Sequence, residues 1–226
     1  MPDVVSRIHN AIAPRKGELP WRARARARLA KRVLDIAIAT PATIAALPVI
    51  GAVALAVRAT SRGPVLFRQQ RIGLDGELFT LWKFRTMRAD RPDGSATGFS
   101  EVTRSDSRLT SIGAFLRDSR LDELPQLFQV LTGRMSLVGP RPDVPANLAA
   151  YDDASLLRFA MPPGCTAWTF TRGAFENDWA TRQAINVEYV RQWNVWLDLR
   201  ILAGTALVLL TRKATSPTVA EVPGKP

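Results

Sequence analysis

Hydrophobic and polar positions divide this chain into three stretches. From Ile36 to Val57 run 22 uncharged residues, IAIATPATIAALPVIGAVALAV, where a membrane-spanning helix needs about 20. The segment before it is densely basic, with Arg15, Lys16, Arg22, Arg24, Arg26, Arg28, Lys31 and Arg32, which argues against a signal peptide. The far flank is basic too, with Arg58, Arg62, Arg68 and Arg71. Basic flanks stay on the cytoplasmic face, so both ends of the segment are expected there. A hairpin that enters and leaves by one face satisfies that demand. Pro41 and Pro48 supply places to bend, since each removes a backbone donor and clashes with the preceding turn. A single-pass anchor is the alternative, because membrane helices tolerate proline.

The second stretch alternates. Residues 64–87 read as a β-hairpin: VLFRQQRIG, a Leu-Asp-Gly turn ending at Gly76, then ELFTLWKFRTM. Alternation puts Lys83 and Arg85 on one face with Phe79 and Leu81, where two cations could hold an anion or stand as solvated edge charges. Residues 89–107 are polar and read as a loop. A helix is expected over about 108–118. RDSRLDELPQLFQVLTGRM then reads as another helix, with a capping signature in Ser119 and Asp122 and a stop at Gly133. MSLVGPRPDVP begins as a short buried strand and ends in a stiff turn, whose prolines restrict the backbone around Arg141.

In the third stretch a helix over about 181–196 leads into LDLRILAGTALVLL. Its uncharged run from Ile201 to Leu210 is too short to span a bilayer. With Trp179, Trp193 and Trp196 beside it, it reads as an amphipathic element at headgroup level or as core. The fold class expected is α/β in the α+β sense, mostly helical, with a re-entrant membrane helix hairpin and interfacial amphipathic helices. The division expected is a basic N-terminal arm (1–30), the re-entrant helix (31–58), a cytoplasmic catalytic domain at the membrane interface (59–213) and a flexible tail (214–226).

Composition narrows the chemistry. Among 226 residues, 31 Lys and Arg outweigh 20 Asp and Glu, for a net charge of +11. Polyanions are therefore the natural partners: nucleic acid, anionic headgroups or phosphorylated substrates. The Arg-Ala run from Arg22 to Arg28 suits a solvated arm or a patch for the anionic leaflet. One cysteine, Cys165, and one histidine, His9, exclude a disulfide framework and any Cys/His zinc site. Ser-His and Cys-His mechanisms go with them unless His9 folds back onto the body. Catalysis must run on carboxylates, hydroxyls, Lys/Arg or a metal.

The adjacent carboxylates Asp122 and Glu123 stand out, although acidic residues open many ordinary helices. Their context is a density of cations: Arg117 and Arg120 before them, Arg134 and Arg141 after. An ionised Asp can attack phosphorus once the target's negative charge is neutralised. Arg, Lys and magnesium provide that neutralisation, and one or two carboxylates are the usual magnesium ligands from protein.

Lys31-Arg32-x-x-Asp35 before an apolar segment with proline, then FRQQRIGLDGELFTLWKFRTM, LRDSRLDELPQLFQVLTGRMSLVGPRP and WLDLRIL, resembles the bacterial sugar transferase family, the monotopic polyprenyl phosphate phosphoglycosyl transferases. The resemblance covers about residues 31–212. It implies a re-entrant helix bent at Pro48, with the catalytic domain facing the cytoplasm at the bacterial inner membrane. It also implies transfer of a sugar phosphate from a nucleotide sugar of the UDP kind to polyprenyl (undecaprenyl) phosphate through a covalent aspartyl intermediate with Mg2+. Asp122 would be the nucleophile and a magnesium ligand, with Glu123 assisting. Lys83, Arg117 and Arg141 would bind substrate phosphate, and Asp198 would complete the polar active-site set. The partners implied are nucleotide sugar, polyprenyl phosphate and membrane lipids, with no nucleic acid. The sequence departs from the family at Leu47, often Ser, and in AWTFTRGA (167–174), where GWAQVNGR is usual. The competing reading is a membrane-anchored nucleic-acid or anionic-lipid binding protein.

Overall fold

The computed structural model describes residues 2–88, 106–173 and 178–211. Most of the expected loop at 89–107 and the tail from Ala214 onward lie outside the described residues. The fold is a mostly helical α+β arrangement with one long apolar helix near the N-terminus.

Helix α1 (Pro2–Ile12) is followed by a 3-10 turn, a short helix α2 (Pro20–Ala23) and the 36-residue helix α3 (Ala25–Thr60). The first of these departs from the picture of a solvated basic arm. Ile8, Ala11, Ile12, Leu19 and Trp21 are all buried in the main core. Arg7 donates to the carbonyls of Leu148 and Tyr151. Arg22 donates to the Ala160 carbonyl at 2.8 Å and pairs with Asp75. An apolar face accompanies the charge run, of which Lys16, Arg24, Arg26 and Arg28 remain exposed.

Helix α3 buries a stripe at four-residue spacing, Lys31, Asp35, Ala39 and Thr43, and near its other end Val53 and Val57. Between and beside them Ile44, Leu47, Val49 and Leu55 face outward. Its apolar stretch is long enough to cross a membrane, and only 17 % of that stretch is buried, unlike the core helix of a soluble protein.

Strands β1 (Leu66–Ile72) and β2 (Leu78–Phe84) form the expected antiparallel hairpin, with Leu66 opposite Phe84 and Ile72 opposite Leu78. Its turn runs through left-handed Asp75 (φ 56°) and Gly76 (φ 85°). A Cβ at Gly76 would lie 3.0 Å from Ile8 Cδ1, so a glycine there lets α1 dock.

Two expected helices are shorter than their patterns suggested. The first starts only at Gly113, giving α4 (Gly113–Asp118). The second is broken: Arg120 takes left-handed angles (φ 59°, ψ 13°), Leu121–Glu123 form one 3-10 turn, and α5 (Gln126–Leu131) begins after Pro125. The capping box does not form. Ser119 Oγ instead donates back to Phe115 O at 2.7 Å. Strand β3 (Ser136–Val138) pairs in parallel with β4 (Gly164–Thr166), followed by α6 (Trp168–Thr171). The expected C-terminal helix divides at Trp193 and Asn194 into α7 (Trp179–Gln192) and α8 (Val195–Thr211).

Candidate active site

The 3-10 turn that interrupts the expected helix carries both carboxylates, and the interruption is what separates them. Glu123 accepts hydrogen bonds at Oε1 from Lys83 Nζ and Arg141 Nη2, each at 2.7 Å. Asp122 is 6 % exposed, and among the described residues its carboxylate accepts no hydrogen bond.

The supports come from three elements. Gln129 of α5 donates to Thr80 O at 2.6 Å and accepts from Trp82 N at 3.1 Å, fixing β2 so that Lys83 meets the turn. Arg85, expected beside Lys83, goes elsewhere and donates to the Ser61 carbonyl and hydroxyl at the end of α3. The turn around Arg141 is pinned by Arg71, which donates to Pro142 O at 3.1 Å, and by Arg158, which donates to the Arg141 carbonyl. Asp143 accepts from Val144 N and Asn147 Nδ2 beside it. Arg117 comes from α4, and its buried Nη1 has no hydrogen-bond partner among the described residues.

The two carboxyls are driven apart electrostatically. Burial pushes the Asp122 carboxyl up; the Glu123 charge adds to this, while Lys83, Arg117 and Arg120 offset part of it. Burial would raise Glu123 as well, but Arg141, Lys83 and Arg120 overcome it and hold Glu123 well below the usual carboxylate range. Such a split between neighbours marks groups with different tasks. Glu123 is an ionised clamp for two cations, and Asp122 is a carboxylate with an unclaimed pair of oxygens.

Beside the turn opens a pocket of about 100 Å³ whose polar wall is Arg120, Glu123 and Arg141. Thr166, Thr169, Phe170, Thr205 and Leu209 complete it. Asp122, adjacent to Glu123 in the chain, is not among the lining residues.

The structure thus brings together Asp122, Glu123, Lys83, Arg117 and Arg141, but gives Asp198 a different set of partners. Asp198, 1 % exposed, accepts from Lys31 Nζ at 2.7 Å, Tyr189 OH at 2.7 Å and Trp193 Nε1 at 3.0 Å. Lys31 also donates to Val138 O at 2.9 Å. This network ties α3, β3, α7 and α8 together beneath the site. Asp35 does similar work, accepting from Ser136 Oγ and Leu137 N. Pattern reading did not single out Thr166, Thr169, Phe170, Thr205 or Leu209 of this pocket. The basic density included Arg120, but only its backbone angles reveal its placement.

A family model described as "Bacterial sugar transferase" matches residues 26–212. The chain belongs to the bacterial sugar transferase family. Among its relatives in that family, the UDP-glucose:undecaprenyl-phosphate glucose-1-phosphate transferase of Escherichia coli (strain K12) is 41 % identical over 195 residues, 83 % of this chain and 41 % of the relative. The Caulobacter vibrioides protein of the same description is 40 % identical over 193 residues, 81 % of this chain and 70 % of the relative. An undecaprenyl-phosphate galactose phosphotransferase of Salmonella typhimurium is 36 % identical over 219 residues, 91 % and 44 % respectively. The chain spans about two fifths of the length of several of these sugar transferases. The matched residues include every part of the site described above.

Proposed function

We propose that the chain is a membrane-associated phosphoglycosyl transferase. It would move a sugar 1-phosphate from a nucleotide sugar, of the UDP-glucose kind named for its relatives, to undecaprenyl phosphate. The observation that carries this reading is the buried Asp122 carboxylate, unclaimed by any hydrogen bond among the described residues and set among Lys83, Arg117, Arg120 and Arg141.

In the first half-reaction an Asp122 oxygen attacks the phosphorus that carries the sugar. An aspartyl phosphoryl bond forms, and the bond to the nucleoside monophosphate breaks, the electron pair leaving with that product. In the second, an oxygen of polyprenyl phosphate attacks the same phosphorus and releases Asp122. The surrounding cations are matched to charge that spreads over phosphoryl oxygens in flight. Glu123 keeps Lys83 and Arg141 aimed at the site and charged.

Magnesium fits these residues in one way. Among the described residues no group of three or more ligating side chains exists, but Mg2+ commonly takes one or two carboxylates and completes its shell with substrate phosphate and water. Asp122 would hold it, with Glu123 already engaged. The ion would supply further neutralisation of the diphosphate.

For the membrane segment, contacts at both ends of α3 support a re-entrant arrangement. Asp35 is bonded to β3, and Val53 and Val57 pack with Phe84 and Leu116 of the same body. A helix crossing a core of about 30 Å would carry one of those ends to the opposite face. The exposed leucines of α8, Leu207, Leu209 and Leu210, suit an interfacial element beside it.

The reading is tested by supplying a panel of nucleotide sugars with undecaprenyl phosphate and magnesium. Nucleoside monophosphate release that needs Asp122 is expected. A nucleoside diphosphate product would replace this reading with ordinary glycosyl transfer.

A further inference from the structure

Arg120 is one of two non-glycine residues with positive φ among the described residues. A left-handed conformation costs an L-residue roughly 1–2 kcal/mol, and glycine would make the same turn without that cost. The arginine side chain must therefore return something that a glycine could not. Its guanidinium lies 5.6 Å from the Phe170 ring centroid, a contact that fixes the plane of the fork. Held there, it forms one wall of the pocket with Arg141 and Glu123. Two guanidiniums against one carboxylate leave that wall with excess positive charge. Arg141 and Arg120 repel one another, and Asp122 and Glu123 both feel Arg120. Thr166 and Thr205, which hydrogen-bond one another at 2.8 Å, and Thr169 line the rest of the pocket, so its positive charge comes from the two guanidiniums.

We propose that Arg120, seated on Phe170, is a substrate-phosphate-binding residue of this pocket, in addition to Lys83, Arg117 and Arg141. The inference rests on the transferase reading for its role in turnover. The ligand chemistry is a phosphate of the donor diphosphate or of the acceptor phosphate, and kinetics separates the two. Phe170 falls in the stretch where this sequence departs from the family's usual GWAQVNGR, so the pair is a feature of this chain's own pocket.

The test uses the full chain in detergent or nanodiscs, with R120G, R120K, F170L and R120G/F170L. R120G relieves the backbone and is expected to unfold no earlier than the parent. It should raise the KM for the donor or for the acceptor roughly ten- to a hundredfold, the loss of one charge-assisted hydrogen-bonding group. R120K should recover part of that loss. F170L should raise the same KM less, and add little to R120G. A rise in donor KM assigns the diphosphate, and a rise in acceptor KM assigns the lipid phosphate. Unchanged KM for both substrates in R120G overturns the inference, whatever happens to kcat. Titration with inorganic pyrophosphate provides a readout independent of turnover: the parent binds, and R120G binds at least tenfold more weakly. Equal binding overturns the inference even if the parent transfers sugar phosphate. A parent that releases no nucleoside monophosphate from any donor defeats the transferase reading, and the pyrophosphate comparison still decides the fate of Arg120.

Discussion

Lys83 Nζ lies 2.7 Å from Glu123 Oε1, joining the open end of a hairpin to a turn 40 residues later. The pair holds a strand and the carboxylate-bearing turn in register, and its charge state reaches Asp122 as well. The Glu123 charge raises the Asp122 carboxyl, whereas Lys83 lowers it.

The first prediction concerns pH. Nucleophilic attack needs ionised Asp122, whose carboxyl is raised, so activity should fall on acidification at a pH above the ordinary aspartate range. E123Q removes a neighbouring negative charge and should move that acid limb to lower pH. K83M removes a positive one and should move it higher. A profile of kcat against pH for the three proteins checks the signs. Movement of both variants in one direction would contradict the arrangement.

Stability should respond to Asp122 and Glu123 in opposite ways. A raised carboxyl binds protons more tightly folded than unfolded, so ionised Asp122 costs stability above its folded pKa. D122N is therefore expected to abolish turnover while leaving the thermal midpoint at neutral pH unchanged or higher. Glu123 is depressed, so it stabilises the fold above its unfolded value near 4.5, and that contribution disappears as pH falls through its lowered folded pKa. E123Q should cost about 1–3 kcal/mol at neutral pH, because two donors lose an anionic acceptor.

The buried pair of Lys31 and Asp198 gives a third prediction. Both side chains are at most 2 % exposed, so removing one partner strands the other. K31M or D198N is expected to destabilise by about 3–5 kcal/mol, whereas K31M/D198L should recover much of the loss. Chemical denaturation of the four proteins measures the cycle. Full stability with lost activity in D198N would instead favour a direct role for Asp198 in the chemistry.

The proposed re-entrant course of α3 can be probed at Ala30 and Thr60, both exposed. In a C165S background, single cysteines at these positions should label from the cytoplasmic face of inside-out vesicles. Labelling from opposite faces would mean a single crossing. P48A is expected to shift Thr60 towards the protected side by straightening the helix.

The docked N-terminus supplies a fifth. Ile12 is fully buried, so I12A should cost about 2–5 kcal/mol, measured by denaturation. A solvated arm would show no change.

The hairpin of β1 and β2, the buried strand before the Gly-Pro-Arg-Pro turn and the carboxylate dyad were all legible in residue order. Each depends on contacts close in sequence or on a motif with strict spacing. The break at Arg120 was not legible, since arginine favours helix and its left-handed angles are imposed by packing around the turn. Nor was the burial of α1, because its short apolar stripe of Ile8 and Ile12 precedes a densely basic run and its partners lie far along the chain. Asp198 sits in a motif shared with the family, yet its ion pair with Lys31 depends on three-dimensional closure that no local pattern reports.

That ion pair links positions 167 residues apart, with an order-of-events consequence. A ribosome delivers Lys31 and the apolar helix long before it delivers Asp198. Burying the lysine without its carboxylate is costly, so it stays hydrated until α8 arrives. Closure of this part of the body is thereby deferred until α8 has been made.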